Sequence, residues 1–241
     1  MALERNQFAM QMTSRSDILN EMMSTNGEIR SLFLQGPAGR LEALLNSGAE
    51  NASYAGLVCH PHPLYGGTLH NKVVFHAMKA LNHFGFPVLR FNFRGTGLSE
   101  GEHDGGDGEL DDVRVALDWL EREFHLPLVF AGFSFGAAVG LRVACADKLV
   151  KAAIGLGVPV IPADERIYDL EFLKTCDKPK LFVSGSRDQF GPKQELESLV
   201  SSLAEPKKLV IIEGGDHFFA GRLKEMREVI EGWVGEVVVG L

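Results

Sequence analysis

A serine becomes a useful nucleophile only when a base is placed to take its proton and an acid holds that base in position. The sequence Gly132-Phe133-Ser134-Phe135-Gly136 presents a serine in a setting that suits this chemistry. It lies between a continuous apolar run at 128–131 and a segment of helical period at 137–146. A G-x-S-x-G joining a strand to a helix is a turn so tight that its flanking positions need glycine. The turn also exposes the hydroxyl at a helix N-terminus, where the dipole favours developing negative charge. Ser134 taken alone reads equally well as a helix N-cap between two packing glycines. Two polar residues further along shift the balance. Asp188 comes directly after the strand-like run 180–184, and His217 directly after 208–212. Each alone could be ordinary, Asp188 as a turn residue capping the helix begun at Pro192 and His217 as a loop histidine. Both, however, fall just past the carboxyl ends of strands, the edge where open α/β sheets bind ligands. The order Ser134, Asp188, His217 is the one a nucleophile, acid and base take on such a sheet. The chemistry implied is acyl transfer.

An acyl-transfer site also needs donors for the oxyanion. The residue after the nucleophile, Phe135, supplies one backbone N–H. The other should come from the loop after the third strand, Cys59-His60-Pro61-His62-Pro63-Leu64-Tyr65-Gly66-Gly67. Pro61 and Pro63 have no N–H, so His62, Leu64 and Tyr65 are the candidates. With these residues in view, the chain resembles an α/β-hydrolase over nearly everything after residue 28. The family's strand–His–Gly–X–Pro turn is similar to Cys59-His60-Pro61-His62-Pro63, with Pro61 in the glycine position, and that register implies His62 as the second donor. His-Pro-x-Pro-x-x-Gly-Gly, Asn92-Phe93-Arg94-Gly95 and Gly132-Phe133-Ser134-Phe135-Gly136 together most resemble the small lidless serine hydrolases related to dienelactone hydrolase. The resemblance implies a serine hydrolase of carboxylic esters with small to medium acyl chains. A thioesterase, acyltransferase or peptidase could use the same triad, and a non-catalytic hydrolase-fold module would predict a damaged one.

Elements must position these residues. Strand-length apolar runs are read at 28–33, 41–45, 54–60, 86–91, 128–131, 152–156, 180–184 and 208–212. The third and fifth are apolar without alternation, as in strands buried on both faces of a parallel sheet. Helical period is read at 71–84, 108–124, 137–146, 193–204 and 221–238, the last ending in valines that could instead form an edge strand or a packing tail. The β-α-β-α order predicts a mostly parallel eight-stranded sheet with helices on both faces, and an antiparallel hairpin from the first two strands. Residues 1–27 are read as a polar extension, with a short helix at 16–23, and 28–241 as one domain. Between 156 and 180 there is room for a loop and one short helix near 168–174, and no full cap.

Other features narrow the class. The 241 residues are 45% hydrophobic with a formal charge of −8, and the basic residues are scattered, which argues against a nucleic-acid partner. No apolar run is long enough to span a bilayer. Cys59, Cys145 and Cys176 are odd in number and lack CxxC spacing, so they read as reduced thiols in a cytoplasmic protein. His60-x-His62 and the acidic stretch Asp104, Asp107, Glu109, Asp111 and Asp112 complete no metal-ligand set. The acidic stretch reads as a solvated loop leading into a helix. Gly95-Thr96-Gly97 lacks the spacing of a phosphate loop and reads as structural. Leu64, Tyr65, Phe133, Phe135, Phe218 and Phe219, flanking the chemistry, are expected to line an apolar acyl pocket. The expected partner is a small-molecule ester, with no cofactor, no metal, no membrane, and a homodimer allowed.

Overall fold

The computed structural model describes residues 28–162 and 168–240; the extension and the helix expected at 16–23 lie outside them. Eight strands form one sheet: β1 (Ile29–Gly36), β2 (Gly39–Asn46), β3 (Ala55–Cys59), β4 (Val88–Phe91), β5 (Leu128–Phe133), β6 (Val150–Leu156), β7 (Lys180–Gly185) and β8 (Lys207–Ile212). Their spatial order is β1-β2-β4-β3-β5-β6-β7-β8. β1 pairs antiparallel with β2 and β2 antiparallel with β4; the remaining pairs are parallel. The eight-stranded, mostly parallel sheet expected from the sequence is the architecture observed.

β3, β5 and β7 are buried at every position, which is why their sequences run apolar instead of alternating. Helices α1 (Lys72–Asn82) and α5 (Leu223–Trp233) cover one face, their Val74, Ala77, Leu81, Met226 and Ile230 packing on Val58, Val129 and Ile154. Helices α2 (Asp107–Phe124), α3 (Phe135–Ala146) and α4 (Lys193–Ser202) cover the other, through residues such as Val113, Leu117, Leu141 and Leu196. Asn71 starts α1 by accepting the Val73 N–H at 2.8 Å. Between β6 and β7 the described residues hold a loop and a 3-10 turn, Glu171–Thr175, and the fold has no large cap domain. Among the described residues no helix is long and apolar enough to cross a membrane.

Two expectations are corrected. The acidic stretch is not wholly solvated. Asp104 and Asp107 are exposed, but Glu109 and Asp112 are buried. Asp112 takes a forked ion pair from Arg94, with Nη2 at 2.7 Å and Nε at 3.1 Å, and also the Arg94 N–H. Glu109 accepts the N–H groups of Asp104 and Gly106 and pairs with His103 at 2.7 Å. A run of acids hides this because the bound cation comes from a different loop, beyond β4. The C-terminal valines form neither strand nor loose tail: α5 continues into a π-helical segment, Val234–Val239, that buries Val234.

Candidate active site

Ser134 sits between the last residue of β5 and the first of α3, with φ 54° and ψ −119°, a conformation strained for any residue with a side chain. The glycines on either side explain how the turn survives. A Cβ at Gly132 would lie 2.4 Å from the Gly136 carbonyl oxygen, and one at Gly136 would lie 2.3 Å from that of His60. The helix start is therefore wedged directly against the backbone that follows β3. The Ser134 N–H donates to the Leu156 carbonyl at 2.9 Å, tying the turn to the end of β6.

His217 reaches Ser134 from the loop after β8. Its Nε2 lies 3.0 Å from the Ser134 Oγ, and its Nδ1 lies 2.9 Å from both carboxylate oxygens of Asp188, in the loop after β7. An ionised carboxylate can only accept, so Nδ1 carries the hydrogen and Nε2 is left to accept the serine proton. Burial works to raise the Asp188 carboxyl pKa. The hydrogen bond and charge of His217, the Phe190 N–H and the Ser184 hydroxyl outweigh it and hold the pKa below the usual value. Those last two bonds measure 2.9 and 3.0 Å. The imidazole is held in place by the rings of Phe133, Phe190 and Phe218, with centroids 5.0, 4.6 and 5.2 Å away.

Phe135 occupies the first helical position of α3, where a backbone N–H has no intrahelical acceptor. The loop after β3 faces it. There the Leu64 N–H donates to the His62 Nδ1 at 3.2 Å and the Tyr65 N–H to the His62 carbonyl at 3.2 Å. Of the three candidate donors, those two amides are thus used inside the turn. His60 anchors the loop from below. Its Nε2 accepts the Phe93 N–H at 3.0 Å, so Nδ1 is protonated and donates to the Pro61 carbonyl at 2.6 Å. Burial draws its pKa down to about 4, against the Pro61 bond and aided by the neighbouring His62; the ring is neutral at pH 7.

Ser134 and His217 open into a cavity of about 570 Å³, walled among others by His62, Tyr65, Tyr168, Phe190 and Phe218. Of the residues expected to line a pocket, Tyr65 (68% exposed) and Phe218 (53%) do so at its rim. Leu64 is more exposed still, at 71%, and does not contribute to the wall. Phe133, Phe135 and Phe219 are buried in the two cores flanking the sheet. Apolar residues next to a functional one need not share its direction: Phe133 and Phe135 diverge from Ser134 at a sharp turn and point into packing. Sequence reasoning missed Asn71, Gln189 and Phe190 in the wall and Ser184 beneath Asp188. Gln189 and Phe190 directly follow Asp188, a position that could have flagged them. Among the described residues no group of three His, Cys, Asp or Glu is placed to hold a metal ion.

Residues 65–233 match the family description of an α/β hydrolase domain, and the chain belongs to the α/β-hydrolase family. An uncharacterised protein of Rickettsia prowazekii (strain Madrid E) is 34% identical over 213 residues, covering 84% of this chain and 87% of its own. Among solved structures, an α/β serine hydrolase homologue from Coxiella burnetii is 37% identical with a TM-score of 0.77, over 84% of this chain and 96% of its own. An α/β serine hydrolase without a lid, from Xanthomonas campestris, is 32% identical with a TM-score of 0.76, over 87% and 94% of the two chains. This fold supports hydrolase activity.

Proposed function

We propose that the protein is a serine hydrolase of neutral carboxylic esters with small to medium acyl chains. The carrying observation is the unbroken hydrogen-bond chain from Asp188 through His217 to Ser134, opening into an aromatic-walled cavity. Ser134 Oγ attacks the acyl carbon as His217 Nε2 takes its proton, and Asp188 holds the imidazole and stabilises its charged form. The Phe135 N–H, with that of His62, meets the oxyanion. His217 then returns the proton to the leaving alcohol, and a water activated by the same imidazole releases the acid. The described residues of the wall include no Lys, Arg, Asp or Glu, which favours an uncharged substrate. An apolar pocket gains about 0.8 kcal/mol per methylene it encloses, so without a large cap acyl chains of about two to six carbons should react best.

A fluorophosphonate probe, followed by peptide mapping, tests the nucleophile: labelling at Ser134 is expected, and an unlabelled protein would overturn the reading. A panel of p-nitrophenyl esters of rising chain length, beside thioesters and amino-acid amides, tests the substrate class. A strong preference for acyl chains above about twelve carbons would contradict the enclosed volume on which the chain-length argument rests.

A further inference from the structure

Away from the active site, two thiols meet. Cys145 lies in the last turn of α3, and Cys176 ends the 3-10 turn Glu171–Thr175; their side chains are hydrogen-bonded to one another. The surroundings are cationic and tightly knit. Lys178 Nζ donates to the Ala144 carbonyl at 2.7 Å and to that of Asp147. Lys180 Nζ, fully buried, donates to the carbonyls of Cys176 and Lys178 at 2.6 and 2.8 Å. Asp147 and Asp177 are the acids near this cluster. The third thiol, Cys59 at the end of β3, has no such company: burial, and then the charge of Asp112, push its pKa well up.

We propose that Cys145 and Cys176 are a redox pair that closes to a disulfide in response to a peroxide. Cys176 is the attacking thiolate. The hydrogen bond from Cys145 draws its pKa down to about 6, with help from the Lys178 N–H and the two ammonium groups and against burial. Cys145, hydrogen-bonded to that thiolate at a helix C-terminus, keeps its proton. It is also the partly exposed member of the pair. The Cys176 sulfur attacks one peroxide oxygen; the S–O bond forms, the O–O bond breaks, and the departing hydroxide takes a proton from water. The Cys145 sulfur then displaces hydroxide from the resulting sulfenic acid, and that hydroxide leaves as water with the Cys145 proton. Overall, two thiols and one hydrogen peroxide give a disulfide and two waters.

The bond would join two parts of the molecule that matter to the site. The segment ending at Cys176 begins with Tyr168, which walls the cavity and meets the Phe135 ring at 6.2 Å. Helix α3 begins directly after Ser134. Oxidation would therefore fasten a wall of the pocket to the helix that carries the nucleophile.

The test uses the full chain, treated with stoichiometric hydrogen peroxide at pH 7, blocked with N-ethylmaleimide and digested without reductant. The expected product is one cross-linked peptide pair holding Cys145 and Cys176, two hydrogens lighter than the dithiol and restored by dithiothreitol, with Cys59 unmodified until the protein is unfolded. In Cys145→Ser the reaction should stop at a Cys176 sulfenic acid that dimedone traps. Both thiols remaining free, a linkage that forms only after unfolding, or a bond involving Cys59 would each overturn the proposal.

Discussion

Two loops at the carboxyl edge of the sheet each bury a histidine, and the two rings do opposite things. His60, after β3, and His217, after β8, are 0% and 3% exposed, and each uses both ring nitrogens. His60 gives its hydrogen to a peptide carbonyl and takes one from a peptide N–H, groups that never change charge. Nothing there rewards a proton, and burial holds the ring neutral. His217 faces a carboxylate on one side and a hydroxyl on the other, so a proton arriving at Nε2 is met by Asp188. Depth and hydrogen-bond number do not make a base; a negative partner opposite the accepting nitrogen does.

The most severe break in the His217 chain is Ser134→Ala. It should leave the fold intact, because removing one hydroxyl opens no large cavity, and should lower ester kcat by about 10⁴–10⁶. Retention of more than a tenth of the wild-type rate would remove Ser134 from the mechanism. Asp188→Asn tests the partner directly: the side chain keeps its size but no longer fixes the tautomer, and a loss of about 10⁴ in kcat is expected. His60→Gln is the contrasting variant. It shifts a loop but takes away no proton acceptor, so its rate should fall by no more than about 10²; a loss as deep as that of Asp188→Asn would erase the distinction between the two rings.

His60 should instead show itself in stability. Its folded pKa, about 4, lies below the ordinary 6.5, so between those values the unfolded chain takes up a proton that the folded chain refuses. Stability therefore falls as pH drops from about 6.5 to 4, by about 2–3 kcal/mol at pH 4.5, and levels off below. Urea unfolding at pH 7 and 4.5 measures this, and in His60→Gln that part of the drop should vanish. The smallest effect belongs to Phe218, half-exposed at the rim beside His217. Phe218→Ala should raise KM for apolar esters about five-fold, the equivalent of about 1 kcal/mol of lost contact, and leave kcat nearly unchanged; a large fall in kcat would mean that the ring positions the base.

Much of this was legible in the sequence because the signals were local. Continuous apolar runs announce buried parallel strands, and polar residues at their carboxyl ends announce a site, so Ser134, Asp188 and His217 could be placed by position. What stayed hidden depends on partners far apart in the chain. The role of His60 needs Phe93, 33 residues away, and the buried state of Asp112 needs Arg94, 18 residues before it. Tyr65 and Phe218 were legible as pocket residues, whereas Phe133, Phe135 and Phe219 were misread, because adjacency to a catalytic position does not say on which side of a turn or sheet a ring will fall.

The lack of a large cap also bears on tempo. Enzymes that fold a domain over their substrate are often limited by how fast that domain reopens, a step of microseconds to milliseconds. Here the rim residues Tyr65 and Phe218 already stand in solvent, and an acid product meets no closed domain on its way out. Turnover should then follow bond making and breaking, and thickening the solvent with sucrose should leave kcat unchanged.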